Sequence, residues 1–151
     1  MIPSTAVSDT QEVVADKTMS VADNKEKRSI KLSGDVLIVE DNMLIALDAS
    51  DILKDNGADD VHMSGSVADA LAVLEANTIT FALLDVNLGD QTSLPVAQVL
   101  ADRNIPFVLA TGYGDAESIT ASYPPAVIAK KPFTAESIVK AISSALSSPD
   151  N

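Results

Sequence analysis

Val36-Leu37-Ile38-Val39-Glu40-Asp41 is the stretch that decides the fold, because a run of four apolar residues ends directly in two acids. Three later apolar runs are likewise followed, directly or after one residue, by a polar residue that is a candidate for a functional site. These runs are residues 81–84, 107–110 and 127–129. Short apolar runs that alternate with helical patterns are typical of buried strands in a parallel sheet. The sequence therefore predicts four such strands, and Val61-His62-Met63 predicts a shorter fifth strand.

The polar residues at the ends of these runs predict one shared site. In an open parallel sheet, ligands bind in the crevice outside the carboxyl ends of the strands. Three carboxylates, one hydroxyl and one amine are therefore expected to meet there, a set that is suited to holding a hard cation and a phosphoryl group. These five residues are Glu40, Asp41, Asp85, Thr111 and Lys131.

Helical patterns separate the predicted strands. Apolar residues recur at helical spacing after Asp41, and Ser66, Ser93 and Thr134 are suitable first residues for three further helices. Residues 115–122 form the weakest of the five helical patterns, because Ile119 is their only large apolar residue, and this helix is expected to be short or mobile. The predicted fold class is α/β, a doubly wound five-stranded parallel sheet with five flanking helices.

Composition limits the possible functions of the 151-residue chain. A net charge of -12 predicts a surface that repels nucleic acid and acidic membranes. The absence of cysteine excludes disulfides, thiol catalysis and cysteine-ligated zinc, and the single histidine, His62, excludes a histidine-rich metal site. No apolar stretch approaches the ~20 residues of a membrane span, and residues 1–20 lack the pattern of a signal peptide. We therefore expect a soluble cytoplasmic protein.

Two regions of the chain differ in pattern. Residues 1–32 are rich in small and charged residues without a clear hydrophobic period, which predicts a flexible N-terminal tail. Residues 33–151 carry the strand and helix signals and predict one folded domain. A hydrophobic fraction of 46% is enough for this domain to bury a substantial core.

The acids of the predicted site suit magnesium, which prefers oxygen ligands in octahedral geometry and retains several waters. We expect Asp41 and Asp85 to bind Mg²⁺ directly and Glu40 to act through a water molecule. A loop carbonyl, that of Asn87, is expected to add a further ligand.

Asp85 is also a candidate nucleophile, since an aspartate carboxylate can form an aspartyl-phosphate. A neighbouring cation would neutralise the phosphoryl oxygens during transfer. Lys131 offers a compact positive charge to one phosphoryl oxygen, and Thr111 offers a hydroxyl to another. Pro132 favours an extended conformation at Lys131, which directs the amine along a strand end.

The segments that carry these residues resemble the receiver domain of two-component response regulators, the CheY-like family with a flavodoxin-like fold. The resemblance extends from about residue 35 to residue 147. It implies that Asp85 is the phosphoacceptor, that Glu40 and Asp41 help to bind magnesium, and that Thr111 and Lys131 are the switch hydroxyl and the phosphate-contacting lysine. The matching segments are Val36-Leu37-Ile38-Val39-Glu40-Asp41-Asn42, Leu84-Asp85-Val86-Asn87-Leu88 and Lys131-Pro132-Phe133.

The segment Pro106-Phe107-Val108-Leu109-Ala110-Thr111-Gly112-Tyr113 further resembles the FAT GUY subgroup of single-domain receivers. This subgroup is associated with alphaproteobacterial signalling, including stress-response phosphorelays. A stand-alone receiver is expected, because nothing follows the last predicted helix. The resemblance implies that a sensor histidine kinase or a histidine phosphotransfer protein donates the phosphoryl group, and that the protein then signals to a downstream protein partner or relays the phosphate. The net charge predicts that neither nucleic acid nor a membrane is a partner.

Two positions depart from the family pattern. Ile128 stands three residues before the lysine, where the family usually has an aromatic residue, and Leu88-Gly89 replaces the usual Met-Pro. The second departure predicts a more flexible loop beside the site. Because Ile128 is β-branched and stiff, Tyr113 is hypothesised to be the mobile aromatic that acts with Thr111 in the switch.

Two alternative functions stay open. An aspartyl-phosphate phosphatase or phosphotransferase commonly has a second aspartate two residues after its nucleophile, where this chain has Asn87. Such an enzyme would also need a large cap segment, which the sequence lacks. The other alternative is a phosphorylation-independent binding scaffold, although the complete set of acids argues against it.

Overall fold

The computed structural model describes residues 31–112 and 120–147. Within them, five strands alternate with four helices, and none of these helices combines the length and apolar character needed to cross a membrane. The strands are β1 (Asp35–Val39), β2 (Asp60–Ser64), β3 (Ile79–Asp85), β4 (Phe107–Thr111) and β5 (Val127–Lys130). The helices are α1 (Met43–Asp55), α2 (Val67–Ala76), α3 (Leu94–Asp102) and α4 (Ala135–Ser147).

The five strands form one parallel sheet in the order β2-β1-β3-β4-β5. In such a doubly wound sheet, the strand order reverses between β1 and β3, which is where ligands bind. The predicted α/β fold with five parallel strands is confirmed. The predicted helix over residues 115–122 falls mainly on residues 113–119, which lie outside the described residues, and residues 120 and 121 are helical.

Helices cover both faces of the sheet, and successive residues of a strand point to opposite faces. Val36 and Ile38 of β1 pack with residues of α1 and α4, whereas Leu37 and Val39 pack with residues of α2 and α3. These four side chains are at most 1% exposed. A strand that is covered on both faces buries every side chain, which explains why the β1 sequence is a continuous apolar run.

Short polar side chains begin three of the helices. Asn42 Oδ1 accepts hydrogen bonds from two backbone N–H groups in the first turn of α1, at 3.0 and 3.3 Å. Ser66 Oγ and Thr134 Oγ1 each accept a hydrogen bond from the N–H three residues further on, at 3.2 and 3.0 Å. Such caps satisfy N–H groups that lack partners within the helix. The predicted helix starts at Ser66 and Thr134 are confirmed.

Gly57 is required where the chain leaves α1. It has a φ of +114°, and a Cβ atom at this position would lie 2.2 Å from the carbonyl oxygen of Leu32. Leu32 is buried, and its N–H donates to Asn56 O at 2.9 Å. Residues 1–30 of the predicted tail lie outside the described residues, so the division into a tail of residues 1–32 and a domain of residues 33–151 stays a prediction.

Candidate functional site

The carboxyl ends of four strands bring the predicted site residues together. Asp85 and Thr111 are the last residues of β3 and β4, and Glu40 and Lys131 follow directly on the ends of β1 and β5. Two backbone hydrogen bonds position the residues that follow the strands: Glu40 N donates to Ser64 O at 2.9 Å, and Lys131 N donates to Thr111 O at 2.8 Å. The site therefore lies at the edge of the sheet that the sequence predicts.

Three carboxylates form a compact cluster at this edge. One oxygen from each of Glu40, Asp41 and Asp85 lies within 4.8 Å of the other two. Glu40 and Asp85 are buried, at 4% and 5% exposure, whereas Asp41 is exposed. Because Asn42 rather than Asp41 caps α1, the Asp41 carboxylate is accessible to solvent and to a ligand of the cluster.

Lys131 joins the two buried acids. Its Nζ atom lies 2.9 Å from Glu40 Oε1 and 3.1 Å from Asp85 Oδ2. The second oxygen of each carboxylate accepts a backbone hydrogen bond, from Asn42 N to Glu40 Oε2 at 3.0 Å and from Asn87 N to Asp85 Oδ1 at 3.3 Å. Both carboxylates are therefore held in a defined orientation, and these hydrogen bonds offset part of the free-energy cost of burying their charge.

Burial and pairing shift the ionisation of two of these groups. Burial raises the pKa of Glu40 above its usual value, and hydrogen bonds from Lys131 and Asn42 offset only part of this effect. Burial by itself would lower the pKa of Lys131, but the hydrogen bonds to Glu40 and Asp85 and the charges of these acids outweigh it, so the pKa of Lys131 is raised. Lys131 therefore keeps its positive charge at neutral pH.

The cluster suits a hard divalent cation. With all groups ionised, three carboxylates face one ammonium group, which leaves excess negative charge in a largely buried position. Carboxylate oxygens are the ligands that Mg²⁺ prefers. The residues present therefore fit a magnesium site at Asp41 and Asp85, with Glu40 already engaged by Lys131. The expected contribution of the Asn87 carbonyl stays a prediction.

Thr111 lies beside Lys131 at the end of β4. It is buried, and because its carbonyl accepts the Lys131 N–H, the hydroxyl-bearing and amine-bearing residues occupy neighbouring strand ends. Tyr113, the hypothesised mobile aromatic, lies outside the described residues. Ile128 is 44% exposed on β5, so an aliphatic side chain faces solvent where the family usually has an aromatic one.

Residues 86–93, here called the acceptor loop, connect β3 to α3. The Val86 N–H donates to a carbonyl of β4 at 3.1 Å, and the Val86 carbonyl accepts the Ser93 N–H at 3.1 Å. Leu88 is buried, and its N–H donates to a carbonyl within the loop at 2.8 Å. Gly89 supplies the turn with a φ of +80°. These contacts anchor the loop, and the flexibility expected from Leu88-Gly89 stays a prediction.

Sequence reasoning missed an exposed apolar surface next to the site. Met43, Leu44 and Leu47 of α1 are 54%, 76% and 49% exposed. These residues fall outside the helical face that packs on the sheet, so the helical period could have identified them. Beside them, an open groove of about 610 Å³ is lined by residues of α1 and of the segment around Lys131 and Phe133.

Comparison with known proteins establishes the family. The family model of the response regulator receiver domain matches residues 36–143 of this chain, which include the acids, the threonine and the lysine of the site. The chain therefore belongs to the response regulator receiver domain family. The receiver domain predicted from the sequence motifs is confirmed.

Individual relatives show how far this likeness extends. The transcriptional regulatory protein PdtaR of Mycobacterium tuberculosis (strain CDC 1551 / Oshkosh) is 26% identical over 115 residues, and the match covers 74% of this chain and 56% of PdtaR. The chain therefore spans about half the length of the curated relatives it matches. The solution structure of SdrG from Sphingomonas melonis Fr1 is 41% identical, with a TM-score of 0.63, and the match covers 75% of this chain and 96% of SdrG. The response regulator PhyR from Brucella abortus is 26% identical, with a TM-score of 0.69, and the match covers 82% of this chain and 51% of PhyR.

Proposed function

We propose that this protein is a response regulator that accepts a phosphoryl group on Asp85 and changes its surface in response. The observation that carries this proposal is the buried and oriented Asp85 carboxylate, which shares Lys131 with Glu40 and lies beside Asp41. Membership of the receiver domain family supports the same function. The protein would catalyse only its own phosphorylation and dephosphorylation.

The transfer is a substitution at phosphorus. The P–N bond of a phosphohistidine breaks as phosphorus bonds to a carboxylate oxygen of Asp85, and the imidazole leaves with the electron pair and takes up a proton. Hydrogen bonds from Lys131 Nζ and Asn87 N hold the Asp85 carboxylate in place, which lowers the entropy lost on reaching the reactive geometry. Magnesium, when bound, supplies positive charge to the phosphoryl oxygens.

We infer that the donor is a phosphohistidine on a sensor histidine kinase or on a histidine phosphotransfer protein. Met43, Leu44 and Leu47 support this inference, because an exposed apolar surface marks a site of protein interaction. Helix α1 begins only two residues after Asp41, so a partner packed on this surface reaches the acids. Asp48 and Asp51 line the adjacent groove and favour a partner with basic residues at its rim.

We propose that Thr111 carries the signal away from the site. Its position next to Lys131 means that a phosphoryl group on Asp85 can attract both the hydroxyl and the amine. Tyr113 remains the proposed mobile aromatic of this switch. The likeness of residues 106–113 to the FAT GUY motif supports a stress-response phosphorelay as the pathway.

Phosphoramidate, a small donor with a P–N bond, tests this proposal. With Mg²⁺, the intact mass of the wild type should increase by one phosphoryl group, whereas Asp85→Asn should show no increase. Asp90→Asn is the matched control, because Asp90 is an exposed acid on the same loop. Equal labelling of Asp85→Asn and the wild type would refute the assignment of the acceptor.

A further inference from the structure

Two buried hydroxyl groups meet behind the acceptor loop. Ser93, the last residue of the loop, is 0% exposed, and Tyr123, which precedes β5, is 7% exposed. Ser93 Oγ lies 3.0 Å from Tyr123 Oη, a hydrogen-bond distance for two hydroxyl groups. This bond joins residues that are 30 positions apart in the chain.

Ser93 does not use its hydroxyl to cap α3. A serine at the N-cap position commonly accepts a hydrogen bond from an N–H of the first turn, as Ser66 does for α2. At Ser93 the backbone has a φ of -84° and a ψ of 8°, and the side chain makes no capping hydrogen bond. The Ser93 hydroxyl therefore serves the contact with Tyr123 instead of the helix.

The hydroxyl pair is connected to the phosphoacceptor through one peptide unit. Val86 follows Asp85, and its carbonyl accepts the Ser93 N–H at 3.1 Å and a longer contact from Tyr123 Oη at 3.4 Å. The next residue, Asn87, donates its N–H to Asp85 Oδ1 at 3.3 Å. The position of the peptide unit between Val86 and Asn87 thus depends on Tyr123 and Ser93.

The Tyr123 ring and the Tyr123 hydroxyl have separable roles. The ring packs in the core between the sheet and α3, whereas Ser122 and Pro125 on either side are exposed. Tyr123→Phe keeps the ring in this core and removes the hydroxyl alone. This substitution therefore separates the hydrogen bonds from the burial of apolar area.

We propose that Ser93 and Tyr123 are positioning residues, which hold Val86 and Asn87 in the arrangement that the acid site needs to bind magnesium and accept a phosphoryl group. The proposal rests on the proposed function of Asp85 and extends it to two residues outside the acid cluster. A residue pair that only stabilised the fold would not affect the affinity of the folded protein for Mg²⁺.

The test is the Mg²⁺ affinity of the full chain, measured from the amide chemical shift of Asn87 during titration with MgCl₂. Substitution of groups that orient metal ligands typically weakens metal binding by about 10- to 100-fold. Ser93 and Tyr123 contact Asp85 only through Val86 and Asn87, so a smaller effect is expected. We expect Tyr123→Phe and Ser93→Ala each to weaken binding about threefold to tenfold. The double substitution should weaken it no further than Tyr123→Phe alone, because Tyr123→Phe already removes the hydrogen bond that Ser93→Ala removes.

Thr80→Val is the matched control. Thr80 Oγ1 donates to the carbonyls of Ser33 and Asp35 at 2.5 and 3.2 Å. Thr80 is exposed, and the substitution likewise removes hydroxyl hydrogen bonds between separate segments with little change in shape. Thr80 lies on the same strand as Asp85, about 17 Å away along the strand. Thr80→Val should lower the urea midpoint of unfolding but leave the Mg²⁺ affinity unchanged.

Wild-type Mg²⁺ affinity in both Tyr123→Phe and Ser93→Ala would overturn the proposal, and Ser93→Ala alone decides by the same criterion if Tyr123→Phe does not fold. An equal loss of affinity in Thr80→Val would also overturn it, since the effect would then be a general loss of stability. Failure of the proposed function is a different result, because it appears as no uptake from phosphoramidate by the wild type, whatever the affinities of the variants.

Discussion

The strongest electrostatic dependence in the site is that of the two buried acids on Lys131, and Lys131→Met tests it. Methionine keeps most of the length and volume of the side chain but removes the charge. The side chains of Glu40 and Asp85 are only 5% and 6% exposed, and Lys131 is 18% exposed. Without the ammonium group, two neighbouring carboxylates are left in a largely buried position with no cation between them.

The cost follows from the distances. At an effective dielectric constant of about 20, a contact of roughly 3 Å corresponds to about 5 kcal/mol of attraction before desolvation is subtracted. Removal of one partner from a buried pair typically costs about 3–5 kcal/mol. Since the acids of the variant can take up a proton, we expect the lower limit, about 3 kcal/mol, which corresponds to a fall in Tm of about 10 °C for a domain of this size.

The pH dependence identifies the cause. The pKa of Lys131 is raised in the folded state, so its contribution to the free energy of unfolding is fully present below pH 10.5. This contribution is lost as pH rises through the higher pKa of Lys131 in the folded state. The difference between wild type and variant should therefore shrink above that pH. It should also shrink in acid, because burial raises the pKa of Glu40 and this acid then becomes neutral.

The assay is urea unfolding of the magnesium-free protein at pH 4.5, 7 and 11.5, followed by far-UV circular dichroism. The largest difference should occur at pH 7, and Mg²⁺ at that pH should stabilise Lys131→Met more than the wild type, because it compensates the unpaired negative charge. A variant that is as stable as the wild type at pH 7, or a difference that does not vary with pH, would refute this reasoning.

Three further predictions concern the acids and one backbone turn. Asp41→Ala should weaken Mg²⁺ binding more than Glu40→Ala, because Asp41 is exposed and is the proposed direct ligand, whereas Glu40 is engaged by Lys131. Calorimetric titrations that show equal losses would contradict this ranking. The raised pKa of Glu40 contributes stability below pH 4.5, and this stability is lost as pH rises through the pKa of Glu40 in the folded state. The urea midpoint of Glu40→Gln should therefore rise relative to that of the magnesium-free wild type between pH 4 and pH 7. A difference in midpoint that stays constant over this range would count against the prediction. Gly57→Ala should lower the free energy of unfolding by more than about 1 kcal/mol, because residue 57 has a left-handed backbone conformation and its new Cβ would clash with Leu32 O. Gly65→Ala is the control that should cost less, because its Cβ would have no neighbour closer than 3.8 Å.

The sheet and the position of the site could be predicted because both depend on local pattern. A strand that is buried on both faces needs an uninterrupted apolar run, and β1, β3 and β4 show one. The acids stand at the ends of these runs, and the parallel arrangement brings such ends together. The sequence therefore predicts which residues meet in the site.

The contacts within the site could not be predicted in the same way, because they depend on side-chain geometry across separate elements. Lys131 bridges Glu40 and Asp85 at similar distances, whereas the sequence suggests only a contact with phosphate. Ser93 is a normal helix start by sequence, but in the fold its hydroxyl contacts Tyr123. No periodic pattern predicts that Tyr123 is buried, since it stands alone beside two prolines.

The central claim is that the Asp85 carboxylate itself becomes phosphorylated, and borohydride trapping tests it most directly. Borohydride reduces an acyl phosphate to an alcohol, which converts a phosphorylated aspartate into homoserine. After incubation of the full chain with phosphoramidate and Mg²⁺, peptide mass spectrometry should place homoserine at position 85, and the product should be absent without Mg²⁺ or in Asp85→Asn. Homoserine at Asp41 or Asp90 instead, or a phosphoryl group that resists borohydride, would contradict the claim.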